Sequence, residues 1–206
     1  MIKIVGDTHG KITKYVNIVK DCDHSIQIGD LGFDYSGLSV LDPVKHRVIG
    51  GNHDNYTNHG PGEPFHMQTK HFLGDYGVYE VDGRSIFFVR GGHSIDKKYR
   101  TEGVDWWPEE QITYKLGVDA ILSYTKADCP IMLAHECPVS AIDYISGLKT
   151  YDGELIRPSF TAHLLQAMFD IRQPDIFIHG HHHVDKTYHI GKTKFICLNE
   201  LSHIDI

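Results

Sequence analysis

Carboxylate, amide and imidazole side chains recur in five short motifs along this chain. The motifs, in order, are Asp7-Thr8-His9, Gly29-Asp30, Gly50-Gly51-Asn52-His53-Asp54, His135 and Gly180-His181-His182-His183. Carboxylate oxygen, amide oxygen and imidazole nitrogen are ligands that transition-metal ions accept in proteins. A set of this size is enough to hold two such ions, and a site with two metal ions is typical of a metal-dependent hydrolase.

Strand-like runs precede these motifs and must position them. Four motifs follow the apolar runs IKIV, SIQI, IML and DIFI, and the third follows the mixed run VKHRVI. Open α/β sheets build their sites at the carboxyl ends of strands. We therefore expect the five motifs to meet at one edge of the fold.

The spacing within the motifs predicts which side chains face the ions. Asp7 and His9 should point to one side, because residues two apart in an extended chain do so. The same spacing relates His181 and His183, and it directs His182 elsewhere. Asp30 stands alone after its strand and is the natural bridge between two ions.

The remaining pattern predicts alternating strands and helices. Residues 11–20 form an amphipathic helix, which gives a βαβ start. The runs GVYEV and RSIFFVR flank Asp82-Gly83 and predict a hairpin with a type I′ turn. Pro108, with two glutamates after it, predicts a helix first turn that carries Ile112 and Leu116 inward. Further predictions are a helix at 159–169, strands at 187–190 and 194–198, and loops at 31–43 and 55–70.

Composition limits the classes of function. The chain has 206 residues, which predicts a single domain over residues 1–206. A formal charge of −7 argues against a broad clamp on a nucleic-acid backbone, but a small phosphate substrate remains compatible with it. The four cysteines have no C-x-x-C spacing, and we expect free thiols in the cytoplasm. We also expect no signal peptide, no membrane span and no obligate protein partner.

The ordered motifs resemble the calcineurin-like metallophosphoesterase family, whose pattern is D-x-H, G-D, G-N-H-[DE], H and G-H-x-H. All five elements are present, spanning residues 7 to 183. The resemblance implies a four-layer αββα sandwich of the α/β class, with two facing mixed sheets flanked by helices. It also implies two divalent metal ions. Mn²⁺ is the expected metal, with Fe, Zn or Ni as alternatives.

The resemblance implies a role for each motif residue. One metal ion would be held by Asp7, His9 and His183, and the other by Asn52, His135 and His181, with Asp30 as the bridging, catalytic carboxylate. His53 would bind no metal. It would act on the substrate phosphate or the leaving oxygen, beside Asn52, as a general acid or a charge stabiliser.

Two departures from the family pattern bear on the substrate. Protein Ser/Thr phosphatases and dinucleoside-tetraphosphate hydrolases of this superfamily usually carry arginine in a G-D-x-x-x-R-G pattern, and this chain has GDLGFDYSG. Asp54 also stands where protein phosphatases typically have glutamate. A phosphate dianion usually needs an extra cationic clamp. These departures favour a phosphodiesterase that acts on a nucleotide or nucleic-acid derived substrate.

Two other functions are alternatives. One is a phosphomonoesterase that acts on phosphoproteins or nucleotides. The other is a noncatalytic scaffold with the same fold, although such members typically lose the catalytic histidine, and His53 is present here.

The segment 91–110 is the least generic stretch and predicts a loop or cap over the site. Within it, Arg100 could contact phosphate and His93 could approach the metals. Trp106 or Trp107 could stack on a base. The alternative for both tryptophans is that they anchor the core, and for Arg100 that it forms a surface ion pair.

Overall fold

The computed structural model describes residues 1–57, 69–145 and 157–206. These residues form ten strands, numbered in chain order: β1 (Ile2–Val5), β2 (His24–Gln27), β3 (His46–Val48), β4 (Tyr76–Val81), β5 (Arg84–Val89), β6 (Ile131–Ala134), β7 (Ile176–His179), β8 (Lys186–Ile190), β9 (Thr193–Cys197) and β10 (His203–Asp205). The α-helices in the same ranges are α1 (Ile12–Val19), α2 (Tyr114–Lys126), α3 (Val139–Ile142) and α4 (Phe160–Ile171). No helix among them is long and apolar enough to cross a membrane.

The strands divide into two mixed sheets. The first has the order β10-β1-β2-β3, with β1, β2 and β3 parallel and β10 antiparallel to β1. The second has the order β4-β5-β6-β7-β9-β8. Its four central strands are parallel, and antiparallel hairpins close both edges. The parallel strands of each sheet therefore end at a common edge.

Apolar side chains fill the space between the two sheets and cover both outer faces. Ile4 and Ile26 of the first sheet share one buried cluster with Leu133 and Ile178 of the second. The outer face of the second sheet packs against α2, α3 and α4, and the outer face of the first sheet packs against α1. This arrangement of helix, sheet, sheet and helix confirms the predicted four-layer α/β sandwich.

Local sequence explains the helix ends, and it corrects one prediction. Residues Pro108–Glu110 form only a short 3₁₀ turn, and the α-helix begins at Tyr114. The reason is the Thr113 side chain, which accepts a hydrogen bond from the Leu116 N–H and caps the helix there. Ile112 is buried ahead of the helix. Ser159 caps α4 in the same way, which confirms the helix predicted at 159–169.

The other elements largely follow the predicted pattern. The β4–β5 hairpin turns at Asp82 and Gly83, whose positive φ angles of 49° and 70° are those a type I′ turn requires. The strands predicted at 187–190 and 194–198 are β8 and β9. The loop predicted at 31–43 contains a 3₁₀ helix at Ser36–Val40. Most of the loop predicted at 55–70 lies outside the described residues.

Candidate metal centre

The five motifs meet where the parallel strands of both sheets end. Asp7, Asp30 and Asn52 follow β1, β2 and β3 of the first sheet. His135 follows β6 of the second sheet, and the histidines of the fifth motif follow β7. Two groups of donor atoms result, with the atoms of each group within 4.8 Å of one another. Both groups include Asp30.

The first group, named the Asp7 cluster, consists of Asp7, His9, Asp30 and His183. Nε2 of His183 lies 3.1 Å from Oδ2 of Asp7. Nε2 of His9 lies 2.9 Å from Nε2 of His183 and 3.8 Å from a carboxylate oxygen of each aspartate. These four side chains therefore aim their donor atoms at one point.

The second group, named the His135 cluster, consists of Asp30, His135 and His181, with Asn52 beside them. Nε2 of His135 lies 3.1 Å from Oδ1 of Asp30 and 2.9 Å from Oδ1 of Asn52. Its Nδ1 lies 3.0 Å from the carbonyl oxygen of Ile28, which can only accept a hydrogen bond. Nδ1 therefore carries the hydrogen, and Nε2 is left to face the two oxygens.

The backbone that delivers these side chains is left-handed, contrary to our reasoning from an extended chain. The φ angles are +47° at His9, +56° at Asp30, +66° at His181 and +52° at His183. Each such residue costs roughly 1–3 kcal/mol, and strain of this kind collects at functional sites. Asp7 and His9 do converge, but a tight turn brings them together. His182 belongs to neither cluster, and its Nε2 instead contacts Glu136 and Cys137.

Two motif glycines allow the backbones to come this close. A Cβ atom at Gly29 would lie 2.3 Å from Nδ1 of His135, and one at Gly180 would lie 2.2 Å from Oδ1 of Asp7. Real Cβ atoms essentially never approach other atoms so closely. The glycines in these motifs are therefore needed for close packing around the clusters.

The charge balance of the clusters suits cations. Asp7 and Asp30 are buried, and their ion-pair partners in the described ranges are all histidines. Burial lowers the pKa of His135, but the nearby Asp30 and Asp7 carboxylates outweigh it and raise the pKa to about 10. Burial lowers the pKa of His181 to about 4. Buried carboxylates need a compensating cation, and this donor set is one that divalent transition metals accept.

His53 and Arg100 meet at the edge of the clusters. The backbone N–H of His53 donates to Oδ1 of Asp30 at 2.7 Å, and its ring centre lies 5.2 Å from that of His9. Nη2 of Arg100 lies 3.4 Å from Nε2 of His53. Asp96 binds the same guanidinium with both carboxylate oxygens, at 2.7 and 2.6 Å. Arg100, which was predicted to contact phosphate, thus lies beside the motif residues.

The other candidate residues of segment 91–110, which are Trp106, Trp107 and His93, belong to neither cluster. Trp107 is buried, packs against Phe33 with ring centres 5.5 Å apart, and belongs to the core beneath the first sheet. Its interpretation as a core anchor is therefore the correct one. Trp106 is half-buried, with Nζ of Lys97 5.8 Å from its ring centre. His93 belongs to neither cluster and lies 3.4 Å from a carboxylate oxygen of Glu110.

Sequence reasoning missed the buried Glu136, and it gave no structural role to Asp54 of the third motif. Glu136 accepts a hydrogen bond from His182 at 3.0 Å and lies 3.4 Å from Nε2 of His181. Asp54 accepts backbone N–H groups from Gly51 and Gly32, which ties together the loops after β3 and β2. Burial, reinforced by the charge of Asp30, raises the pKa of Asp54 to about 7. Its position directly after His135 was the one available signal for Glu136.

A further group of donor atoms, from Cys137, His179 and His182, lies next to the His135 cluster. Hydrogen bonds account for it without a metal. His182 pairs with Cys137 and with Glu136, and His179 pairs with the hydroxyl of Tyr188 at 2.9 Å.

Comparison with known proteins identifies the family of this chain. The family model for calcineurin-like phosphoesterases matches residues 1–185. Among curated protein sequences, none matches this chain significantly.

Solved structures agree at the level of fold. Phosphopantetheinyl hydrolase from Mycobacterium tuberculosis is 13% identical, with a TM-score of 0.58, over 97% of this chain and 89% of the other. A candidate 5′-nucleotidase from Staphylococcus aureus is 14% identical, with a TM-score of 0.54. That match covers 97% of this chain and 48% of the other, so this chain spans about half the length of that protein. With the family model matched over nearly all its length, this chain belongs to the calcineurin-like phosphoesterase family.

Proposed function

We propose that this chain hydrolyses a phosphodiester with the help of two divalent metal ions. The observation that carries the proposal is the pair of donor clusters that share Asp30. Membership of the family implies phosphoester hydrolysis and divalent metals, and the donor chemistry of both clusters suits such ions. Mn²⁺ is the metal we favour, with Fe, Zn or Ni as alternatives.

In this proposal each cluster holds one ion. Asp7, His9 and His183 would hold the first, Asn52, His135 and His181 would hold the second, and Asp30 would be shared by both. When bound, such a pair of ions supplies Lewis acidity, which activates water for attack on phosphorus and neutralises charge on the phosphoryl oxygens. The hydrogen bond from Nδ1 of His135 to the Ile28 carbonyl supports its part, since it keeps Nε2 available as a ligand.

His53 and Arg100 act on the substrate. Their side chains approach within 3.4 Å, so an oxygen of the substrate bound there would meet both. Arg100 would donate to a non-bridging phosphoryl oxygen, and His53 would protonate the leaving oxygen or stabilise its charge. The backbone hydrogen bond from His53 to Asp30 fixes the histidine relative to the proposed bridging residue.

The pairing of Arg100 with Asp96 supports a diester over a monoester. Asp96 already neutralises the guanidinium through two short hydrogen bonds. The pair therefore offers hydrogen-bond donors but little net positive charge. A diester carries one negative charge and a monoester dianion carries two, so this edge of the site suits the diester better. Nucleotide and nucleic-acid derived diesters are the first substrates to screen.

The intact site argues against a noncatalytic scaffold, and a phosphomonoesterase is the remaining alternative. We also propose that residues 1–206 form one domain, with segment 91–110 lying over the site. The cysteines Cys22, Cys129, Cys137 and Cys197 are all free, which supports a cytoplasmic location.

The test compares hydrolysis of bis-p-nitrophenyl phosphate and p-nitrophenyl phosphate at matched concentrations with added Mn²⁺. A higher kcat/KM for the diester supports the proposal, and a higher value for the monoester contradicts it. Asp96→Asn sharpens the test because it gives the Arg100 pair a net positive charge. This variant should shift the ratio of rates toward the monoester, whereas the exposed Asp21→Asn should leave the ratio unchanged.

A further inference from the structure

A chain of buried hydrogen bonds connects Glu110 to Asn52. The Ser94 backbone N–H donates to Oε1 of Glu110 at 2.9 Å, and the Ser94 hydroxyl donates to Oε2 at 2.6 Å. Nδ2 of Asn52 then donates to the Ser94 hydroxyl oxygen at 3.1 Å. All three side chains are at most 2% exposed, so water does not substitute for these partners.

The direction of each bond follows from the chemistry of the groups. A carboxylate offers only acceptors, so the single hydroxyl hydrogen of Ser94 must point to Glu110. The hydroxyl oxygen is then left as an acceptor, and it can pair only with the amide nitrogen of Asn52. The amide oxygen of Asn52 consequently faces the other way, 2.9 Å from Nε2 of His135.

We propose that Ser94 and Glu110 are positioning residues that hold the Asn52 amide oxygen toward the second metal ion. The inference rests on the proposed function, in which Asn52 is a ligand of that ion. It gives segment 91–110 a role besides covering the site, because Ser94 and Glu110 belong to it and lie about 40 residues or more from Asn52 in sequence. An amide turned the other way would present N–H groups to a cation.

The variant Glu110→Gln tests the polarity of this chain with little change of shape. The Ser94 backbone N–H still needs a hydrogen-bond acceptor, so the amide oxygen of the new glutamine takes the place of Oε1. Its NH₂ group then faces the Ser94 hydroxyl and donates to it. The hydroxyl hydrogen is redirected to Asn52, whose amide turns over and directs Nδ2 at the metal site.

The experiment titrates each metal-free protein, as the chain of 206 residues, with Mn²⁺. Isothermal titration calorimetry measures the heat of binding, and electron paramagnetic resonance measures the Mn²⁺ that stays free in solution. Wild type should bind two ions. Glu110→Gln should bind one of them about 10–100-fold more weakly, as is typical when an outer partner of a metal ligand is lost. The ion in the Asp7 cluster should keep most of its affinity.

Two further variants protect the interpretation. Glu109→Gln makes the same chemical change at the neighbouring position, and it should bind both ions like wild type. Ser94→Ala removes the connecting hydroxyl and should weaken the same ion as Glu110→Gln does. Thermal unfolding of the metal-free proteins identifies any variant that has lost its fold. If Glu110→Gln or Ser94→Ala is lost in this way, the titration of the other one provides the test.

Asn52→Ala separates this inference from the proposed function. If Asn52→Ala binds two ions with wild-type affinity, the proposed ligand set is wrong. If Asn52→Ala loses one ion while folded Glu110→Gln and Ser94→Ala bind both normally, the ligand set stands and the positioning role is overturned. Weakened binding of one ion in all three variants supports both.

Discussion

Nη2 of Arg100 lies 3.4 Å from Nε2 of His53, although the two residues come from different loops. A guanidinium can only donate, so Nε2 of His53 is the acceptor in this contact. Asp96 accepts from Nε and from the same Nη2, and the Asp105 carbonyl accepts from Nη1 at 3.2 Å. In the proposed function, Arg100 of segment 91–110 takes the place of the arginine that is absent after the second motif.

We expect Arg100→Ala to raise KM for the phosphoester about 10–100-fold, because a hydrogen bond to a charged group contributes about 1.5–3 kcal/mol. Arg100→Lys should recover little, since lysine cannot pair with both oxygens of Asp96 in the same way. Steady-state kinetics measure both effects. Arg84→Ala, at the far end of β5, is the control. Unchanged KM and kcat for Arg100→Ala would remove Arg100 from the substrate site.

We expect His53→Ala to keep both metal ions and to lose about 10²–10⁴-fold in kcat. The loss should be largest for substrates with poor leaving groups, because these need a proton on the departing oxygen. Elemental analysis and kinetics on a series of leaving groups provide the measurements. The exposed His163→Ala on α4 serves as the control. Loss of metal from His53→Ala would instead make His53 a ligand.

Asp30→Asn should reduce the occupancy of both metal ions. The substitution replaces one of the two carboxylate oxygens by an NH₂ group and removes the charge shared by the Asp7 and His135 clusters. Metal content after gel filtration is the appropriate measurement, with Asp21→Asn alongside. Full occupancy in Asp30→Asn would refute the bridging assignment.

Gly180→Ala should distort the Asp7 cluster, because the added methyl group would lie 2.2 Å from Oδ1 of Asp7. Forced contacts of this kind cost roughly 1–3 kcal/mol in the free energy of unfolding. We expect weaker Mn²⁺ binding and a lower melting temperature. Gly117→Ala is the matched control, because its methyl group would meet Leu164 at an ordinary distance of 3.4 Å. Wild-type metal affinity in Gly180→Ala would show that the cluster tolerates the methyl group.

The stability of the metal-free protein should fall as the pH drops below about 6.5, partly because of His46 and His71. Burial lowers the pKa of both side chains in the folded state. The unfolded chain, with an ordinary histidine pKa of about 6.5, therefore takes up protons first. Each histidine can lower the free energy of unfolding by up to about 1.4 kcal/mol per pH unit, until the pH falls to the pKa of that histidine in the folded state.

Urea unfolding at pH 7.5 and pH 5.5 measures this effect. His71→Gln should lose less stability between the two pH values than wild type does, and the exposed His203→Gln should match wild type. An equal loss in wild type and His71→Gln would show that His71 does not contribute.

The sequence alone was sufficient to predict most of the strands and helices of this protein and the motifs that meet at one edge of the fold. Strand-like runs, each followed by a polar motif, predicted that these side chains would collect at one edge of an α/β fold, and the family resemblance implied the sandwich. The prediction succeeded because strand direction and hydrophobic burial are local properties that a short window of sequence contains.

The tertiary structure decided what holds those motif side chains in place. The side chain of Thr113 caps α2, so this helix begins at Tyr114 rather than at Pro108. Residues such as His9 have left-handed backbone angles instead of the extended geometry that the spacing suggested. The approach of Arg100 to His53 and the link from Glu110 to Asn52 join residues about 40 or more positions apart. Such contacts depend on how loops pack across the two sheets, and no periodicity in the sequence encodes a contact between distant loops.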